Sequence, residues 1–302
     1  MTKYWRTKVR STTKQILFLS FNNQIHNMPY ICPICQSPLK QHLPSKGYYC
    51  EKKHHFDMAK EGYLNLLPVQ HKKSKEPGDS RAMMRSRRNF LEAEFYLPMA
   101  KAIAAIINQH RTETSPMHIL DMGCGEGYYS RQIEAYCDNS ETLDLHGIDI
   151  AKNAIFAAAK KQANARFIVA SNKRLPYADN YFDLLLRVYA PSNDEEIKRI
   201  LKPEGLLLIV TPGPRHLWQL KQFIYKEVKE HTITVDLPEG FEQIDTQRLS
   251  YTIKPDQINR MALLQMTPFA WRAKADIQTK IQRANNLEIE TDFILTLAIK
   301  KD

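Results

Sequence analysis

The chain has 302 residues, 43% of them hydrophobic, and a formal net charge of +10. That length holds one large domain plus an appendage, and no stretch approaches the 18 or more apolar residues of a membrane span. The basic balance favours an acidic partner, and nucleic acid fits better than a membrane surface because no amphipathic anchor is evident. Residues 1–27 carry Lys3, Arg6, Lys8, Arg10 and Lys14 without an acid, then the apolar run Ile-Leu-Phe-Leu-Ser-Phe at 16–21. This imitates a secretory signal, but the run is short and no small-residue cleavage site follows. The segment is expected to be a poorly ordered extension, with Met28 as an alternative start.

A compact module is expected over residues 28–67. Cys32-Pro33-Ile34-Cys35 is a Cys-x-x-Cys knuckle, followed by Cys50 and His54. Two thiolates on one tight turn and two ligands on a second can close a tetrahedral zinc site, with no position left open for catalysis. His55 is an alternative fourth ligand. A redox Cys-x-x-Cys would need a thioredoxin-like βαβ setting, which is absent. Thiols in a metal pattern argue for a reducing compartment, the cytoplasm. Cys124 and Cys137 read as packing or incidental residues.

Residues 68–100 read as a basic linker and helix. Basic residues stand at 72, 73, 75, 81, 85, 87 and 88 against Glu76 and Asp79. Pro77-Gly78-Asp79-Ser80 predicts a turn ending in a helix N-cap. The helix from Arg81 places Arg81, Arg85 and Arg88 on one face, a spacing suited to tracking phosphates. A merely solvated linker is the alternative.

Residues 101–302 carry the main sheet pattern. The stretch 119–127 reads Ile-Leu-Asp-Met-Gly-Cys-Gly-Glu-Gly. An apolar strand ends in Asp121, the turn alternates Gly123, Gly125 and Gly127, and a helix is expected over 128–136. Glycine is needed where the backbone takes φ > 0 or approaches a ligand closely. A second strand over 143–150 ends near Asp149, placed to accept ribose hydroxyls. A third, 165–170, ends at Ser171 and Asn172, where an adenine edge is usually read. A fourth, 182–188, is closed by Tyr189-Ala190-Pro191. A helix over 194–201 precedes the Lys202-Pro203-Glu204-Gly205 turn and a fifth strand over 206–210. Continuous apolar strands alternating with helices predict an α/β doubly wound sheet. The Asp-x-Gly-x-Gly loop, the ribose acid and the Leu-Lys-Pro-x-Gly-x-Leu turn together resemble the class I (Rossmann-like) S-adenosylmethionine-dependent methyltransferases. A generic nucleotide-binding sheet is the alternative.

Longer stretches narrow the likeness. Cys-Pro-Ile-Cys, Phe-Asp-Met-Ala-Lys-Glu-Gly-Tyr, Asn-Leu-Leu-Pro-Val-Gln-His and Pro-Gly-Asp-Ser lie before the glycine loop. Asp-Met-Gly-Cys-Gly-Glu-Gly-Tyr-Tyr, then Thr-Pro-Gly-Pro-Arg-His-Leu at 211–217 and Leu-Leu-Gln-Met-Thr-Pro-Phe-Ala-Trp-Arg-Ala at 263–273, complete the set. Together they resemble the ribosomal RNA large-subunit methyltransferase A family, which methylates N1 of a guanine in a hairpin loop of 23S ribosomal RNA. The Gln-Met-Thr-Pro-Phe-Ala-Trp form is closer to the guanine-745 branch than to the guanine-748 branch. By that likeness Cys32, Cys35, Cys50 and His54 hold zinc. The cofactor contacts fall on Tyr96, on the loop up to Tyr129 and Ser130, on Asp149 and on His216. Nothing in spacing alone selects Tyr96 or His216. A homodimer is allowed by the likeness and not required by it.

Methyl transfer from a sulfonium is an in-line displacement, so alignment is the main task. The N1 edge must be unpaired in a loop or flipped into a pocket. Its proton must leave, to a general base or to water, and no carboxylate is singled out for that role. Tyr189, at the exit of the fourth strand, is the candidate to stack on guanine, with Phe269 and Trp271 as further stacking candidates. Two other readings stand beside this one. They are a zinc-containing RNA-binding protein without catalysis, and a small-molecule methyltransferase.

Overall fold

The computed structural model describes residues 29–42, 45–71, 78–111, 115–161, 164–233 and 235–301. The expectations for residues 1–27, for Met28 as a start and for the basic residues 72, 73 and 75 lie outside these. Three short antiparallel strands, β1 (Lys40–His42), β2 (Gly47–Tyr49) and β3 (His55–Phe56), form the cysteine module's own sheet. A two-residue strand, β4 (Leu64–Asn65), then leaves it.

Helix α1 (Arg81–Glu92) starts where the turn chemistry placed it, with Ser80 Oγ accepting from Met83 N at 3.2 Å. Helix α2 (Leu97–His110) follows. Then come β5 (Met117–Met122), α3 (Tyr128–Tyr136), β6 (Leu143–Asp149), α4 (Lys152–Lys161), β7 (Arg166–Val169) and β8 (Phe182–Val188). The second half is α5 (Asp194–Ile200), β9 (Leu201–Pro212), α6 (Trp218–Ile224), β10 (Phe241–Ile253), α7 (Gln257–Gln265), α8 (Ala275–Arg283) and β11 (Ile289–Lys300). The fifth strand expected at 206–210 is the inner part of β9. Residues 202–205 interrupt its pairing with β8, which passes from Phe182↔Leu201 directly to Leu184↔Leu206.

The main sheet runs β10-β11-β9-β8-β5-β6-β7-β4. Strands β4 to β9 pair in parallel, and β11 lies antiparallel between β9 and β10. The chain leaves β5 through β6 and β7 on one side and returns as β8 on the other. The crevice beyond the carboxyl ends of β5 and β8 is therefore the switch point where such sheets bind ligands.

Alternation along the strands divides the core between two faces. Ile119, Leu184, Leu186 and Leu208 face Phe90, Ile103, Ile133 and Leu263, which come from the helices. Leu120, Met122, Ile148, Leu185 and Leu207 face the other way, onto Tyr30, Cys32, Leu39, Tyr48 and Cys50. The cysteine module thus covers part of the sheet as a helix would. Its first residues are stitched on by Ile31 N to Pro176 O at 3.1 Å and Ala178 N to Pro29 O at 2.7 Å. The Tyr30 ring is buried against Tyr177, at 5.6 Å between centroids. A fully buried aromatic of this kind contributes about 1.5–3 kcal/mol. Among the described residues no helix is long and apolar enough to cross a membrane.

Candidate active site and metal centre

Two turns build the metal centre. Gln36 N bonds to Cys32 O and Lys53 N to Cys50 O, each at 2.9 Å. Gln36 and Lys53 both take positive φ, which turns the chain tightly enough to bring the side chains together. The ligand atoms of Cys32, Cys35, Cys50 and His54 all lie within 4.8 Å of one another. Cys35 and Cys50 sulfurs are 3.6 Å apart, and His54 Nδ1 is 3.4 Å from Cys32 Sγ and 3.3 Å from Cys50 Sγ. Tetrahedral zinc with ordinary bond lengths spaces its ligands by about 3.5–3.8 Å, so the donor set fits that ion. The backbone N–H of Ser37 holds the Cys35 thiol down to about 6, ready to bind as thiolate. His55 is elsewhere, stacked on Tyr49 at 5.8 Å.

The glycine loop joins β5 to α3. Gly123, Gly125 and Gly127 take φ of 71°, 56° and 69°, a region that other residues enter at a cost. A side chain at Gly123 would meet Ala190 Cβ at 2.7 Å, whereas one at Gly125 would meet nothing within 4 Å. The loop is therefore closed toward the β8 exit and open at Gly125. Asp149, at the end of β6, accepts from Gly125 N at 3.0 Å through Oδ2 and from Ala151 N at 2.8 Å through Oδ1. Each oxygen keeps a lone pair for a further donor. Behind the loop Asp121 is buried, and Ser130 Oγ donates to it at 2.7 Å. Burial raises Asp121 to about 6. Asn172 Nδ2 donates to Pro191 O at 2.9 Å, tying the end of β7 to the exit of β8. Ser171 Oγ accepts from Lys173 N at 3.2 Å.

Tyr96 and His216, 120 residues apart, meet in the same crevice: Tyr96 Oη lies 3.4 Å from His216 Nε2. Asp292 N donates to His216 Nδ1 at 3.2 Å, which leaves Nε2 as the protonated nitrogen facing Tyr96. Burial lowers His216 to about 3, so the ring is neutral at physiological pH. Tyr129 stands edge-on to Tyr128 in the same aromatic group, its hydroxyl pushed up by burial and by Tyr96. Tyr189 sits 6.1 Å from the His216 ring, with φ of 53° and 47% of its surface open. Tyr189 thus combines a strained backbone with a half-exposed side chain at the mouth of the crevice.

Sequence reasoning missed Asp292, Gly213 and Glu126. Asp292 is fully buried, held by Arg248 through two bonds of 2.9 Å and by Arg215 N at 2.9 Å. A side chain at Gly213 would strike its carboxylate at 2.4 Å. The available signal was an acid directly before the apolar run Phe-Ile-Leu-Thr-Leu-Ala-Ile, weakened by Glu288 and Glu290 beside it. Glu126 is gripped by Arg88 through Nε and Nη2, each at 2.5 Å, so that member of the basic face points at the loop. Arg81 and Arg85 are exposed. Phe269 is half-buried under Lys221 at 5.7 Å, while Trp271 is 83% exposed.

The open cradle at Gly125 and the half-covered Asp149 carboxylate fit an adenosyl group and its ribose. Residues 30–75 match the zinc-ribbon family model described as RlmA, N-terminal, and residues 113–267 match a methyltransferase domain. YxjB of Bacillus subtilis, whose name assigns it provisionally to 23S rRNA (guanine-N1) methylation, is 30% identical over 89% of this chain and 96% of its own. The 23S rRNA (guanine(748)-N(1))-methyltransferase of Streptomyces fradiae is 30% identical over 81% and 86%. A Micromonospora griseorubida protein with the same provisional assignment as YxjB is 30% identical over 81% and 88%.

Proposed function

The chain belongs to the RlmA family of ribosomal RNA large-subunit methyltransferases, and on that premise we propose that it methylates N1 of a guanine in a hairpin loop of 23S ribosomal RNA, at the 745-type position. The observation that carries the reading is the pairing of an open Gly125–Asp149 cradle with a half-exposed Tyr189 across one crevice. S-adenosylmethionine, when bound, supplies a methyl group on a sulfonium for in-line transfer to nitrogen. Asp149 accepts the ribose hydroxyls, and the backbone at 123–127 lines the methionine end. Asp121 and Ser130 brace that loop from behind. Ser171 and Asn172 read the adenine edge. Neutral His216 donates to Tyr96 and keeps a cation away from the sulfonium. Tyr189 offers its open face to the extruded guanine, and water takes the N1 proton. Zinc holds together the turns that carry Cys32, Cys35, Cys50 and His54, helix α1 presents Arg81 and Arg85 to phosphates, and the methyltransferase domain transfers the methyl group. The cytoplasm and a homodimeric assembly belong to the same proposal.

The 748-type position is the second reading, favoured by the Streptomyces fradiae relative. One experiment separates them. N1-methylguanine cannot pair with cytosine, so reverse transcription of treated large-subunit RNA should stop at one position, and that position names the nucleotide. Gly125→Arg should abolish the stop, because its side chain has room to fold and projects into the cradle. A methyl group found on ribose, on cytosine or only on small molecules overturns the proposal.

A further inference from the structure

The loop at 123–127 has only two side chains, those of Cys124 and Glu126. Cys124 is buried inward against Phe167 and Ile155. Glu126 turns outward, 12% exposed, and both its oxygens are held by the planar fork of Arg88. Helix α1, which carries Arg88, is itself fixed. Ser86 Oγ donates to Gln265 Oε1 at 2.8 Å, and Phe90 is fully buried. The turn before the helix reaches the other side of the crevice. A side chain at Gly78 would lie 3.0 Å from Ala151 Cβ, and Ala151 N is one of the two donors to Asp149. Arg87 closes the turn by pairing with Asp79. One arm therefore touches both the glycine loop and the ribose-acid segment.

We propose that Arg88 is a positioning residue that clasps the methyl-donor loop through Glu126, and that through this clasp RNA bound on α1 raises the affinity for S-adenosylmethionine. The second half rests on the RNA reading above, and the first does not. A loop with three glycines at positive φ has more freedom to lose than any other part of the crevice. Pinning Glu126 removes part of that freedom before the donor arrives, so less is lost on binding. Arg81 and Arg85 lie on the same helix face as Arg88. Ser86 and Phe90 anchor only the second half of α1, so phosphates held by Arg81 and Arg85 steady its exposed first turns and with them the clasp. By linkage the donor must then tighten RNA binding by the same factor.

The full-length protein tests this in two arms. Without RNA, Arg88→Gln and Glu126→Gln should each speed amide exchange at 124–129. Each should also weaken S-adenosylhomocysteine binding about five- to tenfold by calorimetry, at the low end of typical couplings. The double exchange Arg88→Glu with Glu126→Arg should recover most of both. Unchanged exchange and unchanged affinity overturn the clasp. In the second arm a saturating hairpin RNA should raise the wild-type affinity for S-adenosylhomocysteine about fivefold or more. That ratio should fall to near one in Arg88→Gln, whereas Arg85→Gln, which leaves the clasp intact and removes one of the two phosphate holds, should weaken RNA binding and lower the ratio only in part. A fall in affinity on adding RNA means that Arg88 leaves Glu126 for phosphate, and overturns the coupling. A wild-type protein that fails to bind the RNA overturns the function proposed above, and the coupling with it, while the first arm still decides the clasp.

Discussion

Asp121 carries its charge where burial resists it. Its folded value of about 6 lies above the ordinary 3.8, so between those pH values the folded protein holds a proton that the unfolded chain releases. Stability therefore falls as pH rises from about 4 to about 6 and is flat above, by at most about 3 kcal/mol. Asp121→Asn keeps an acceptor for Ser130 and removes the charge. In denaturant titrations it should be more stable than the wild type by about 1–3 kcal/mol at pH 7.5, with the gap closing below pH 5. A gap independent of pH would assign the effect to packing. Tyr189 stores strain of another kind. Tyr189→Gly relieves the positive φ and should leave stability equal or about 1 kcal/mol higher. The same change should weaken RNA binding by about 1–3 kcal/mol if the ring stacks on a base. Undiminished RNA affinity in that variant would remove Tyr189 from the site. Single residues of this sort were unevenly legible. Asp149 follows from its place at a strand end. Tyr96 and His216 needed the family resemblance, because their contact spans 120 residues and neither has a local signature.

The zinc ribbon and the main sheet share one core. Cys32 and Cys50 are buried in the same cluster as Leu120, Met122 and Ile148. Cys35→Ser should release the metal, and the loss should be felt in the sheet. Calorimetry should show one unfolding transition shifted down as a whole, by about 4–8 °C for each 2 kcal/mol lost at 150–250 residues and somewhat less in a chain this long, because the metal's binding free energy is folding free energy. Two separate transitions would mean that the module folds alone. The strands that flank the glycine loop were readable because parallel strands buried on both faces are continuous apolar runs. Strand β10 was not. It is exposed along most of its length, so Phe241–Ile253 carries little of the alternation that marks a half-buried strand. Strand β4 is two residues long and is defined only by its partner β7. No local pattern specifies a pairing that short.

At the scale of the molecule, a basic arm lies between a metal-held cap and a methyltransferase sheet, and charge should govern how RNA approaches it. Arg81→Gln with Arg85→Gln should weaken RNA binding in filter assays and reduce the slope of affinity against salt by about 2, one for each phosphate left without its arginine. An unchanged slope would mean that this face is only solvated. The placement of β4 has a consequence for how the chain is made. Leu64 pairs with Ile168, which leaves the ribosome about a hundred residues later. The cysteine module can take up its metal early, but the strand that leads out of it has no partner until β7 emerges. Tyr30 waits still longer, for Tyr177. During synthesis the module must therefore hold an apolar face open to solvent, and a nascent chain stalled before residue 168 should present that face to chaperones.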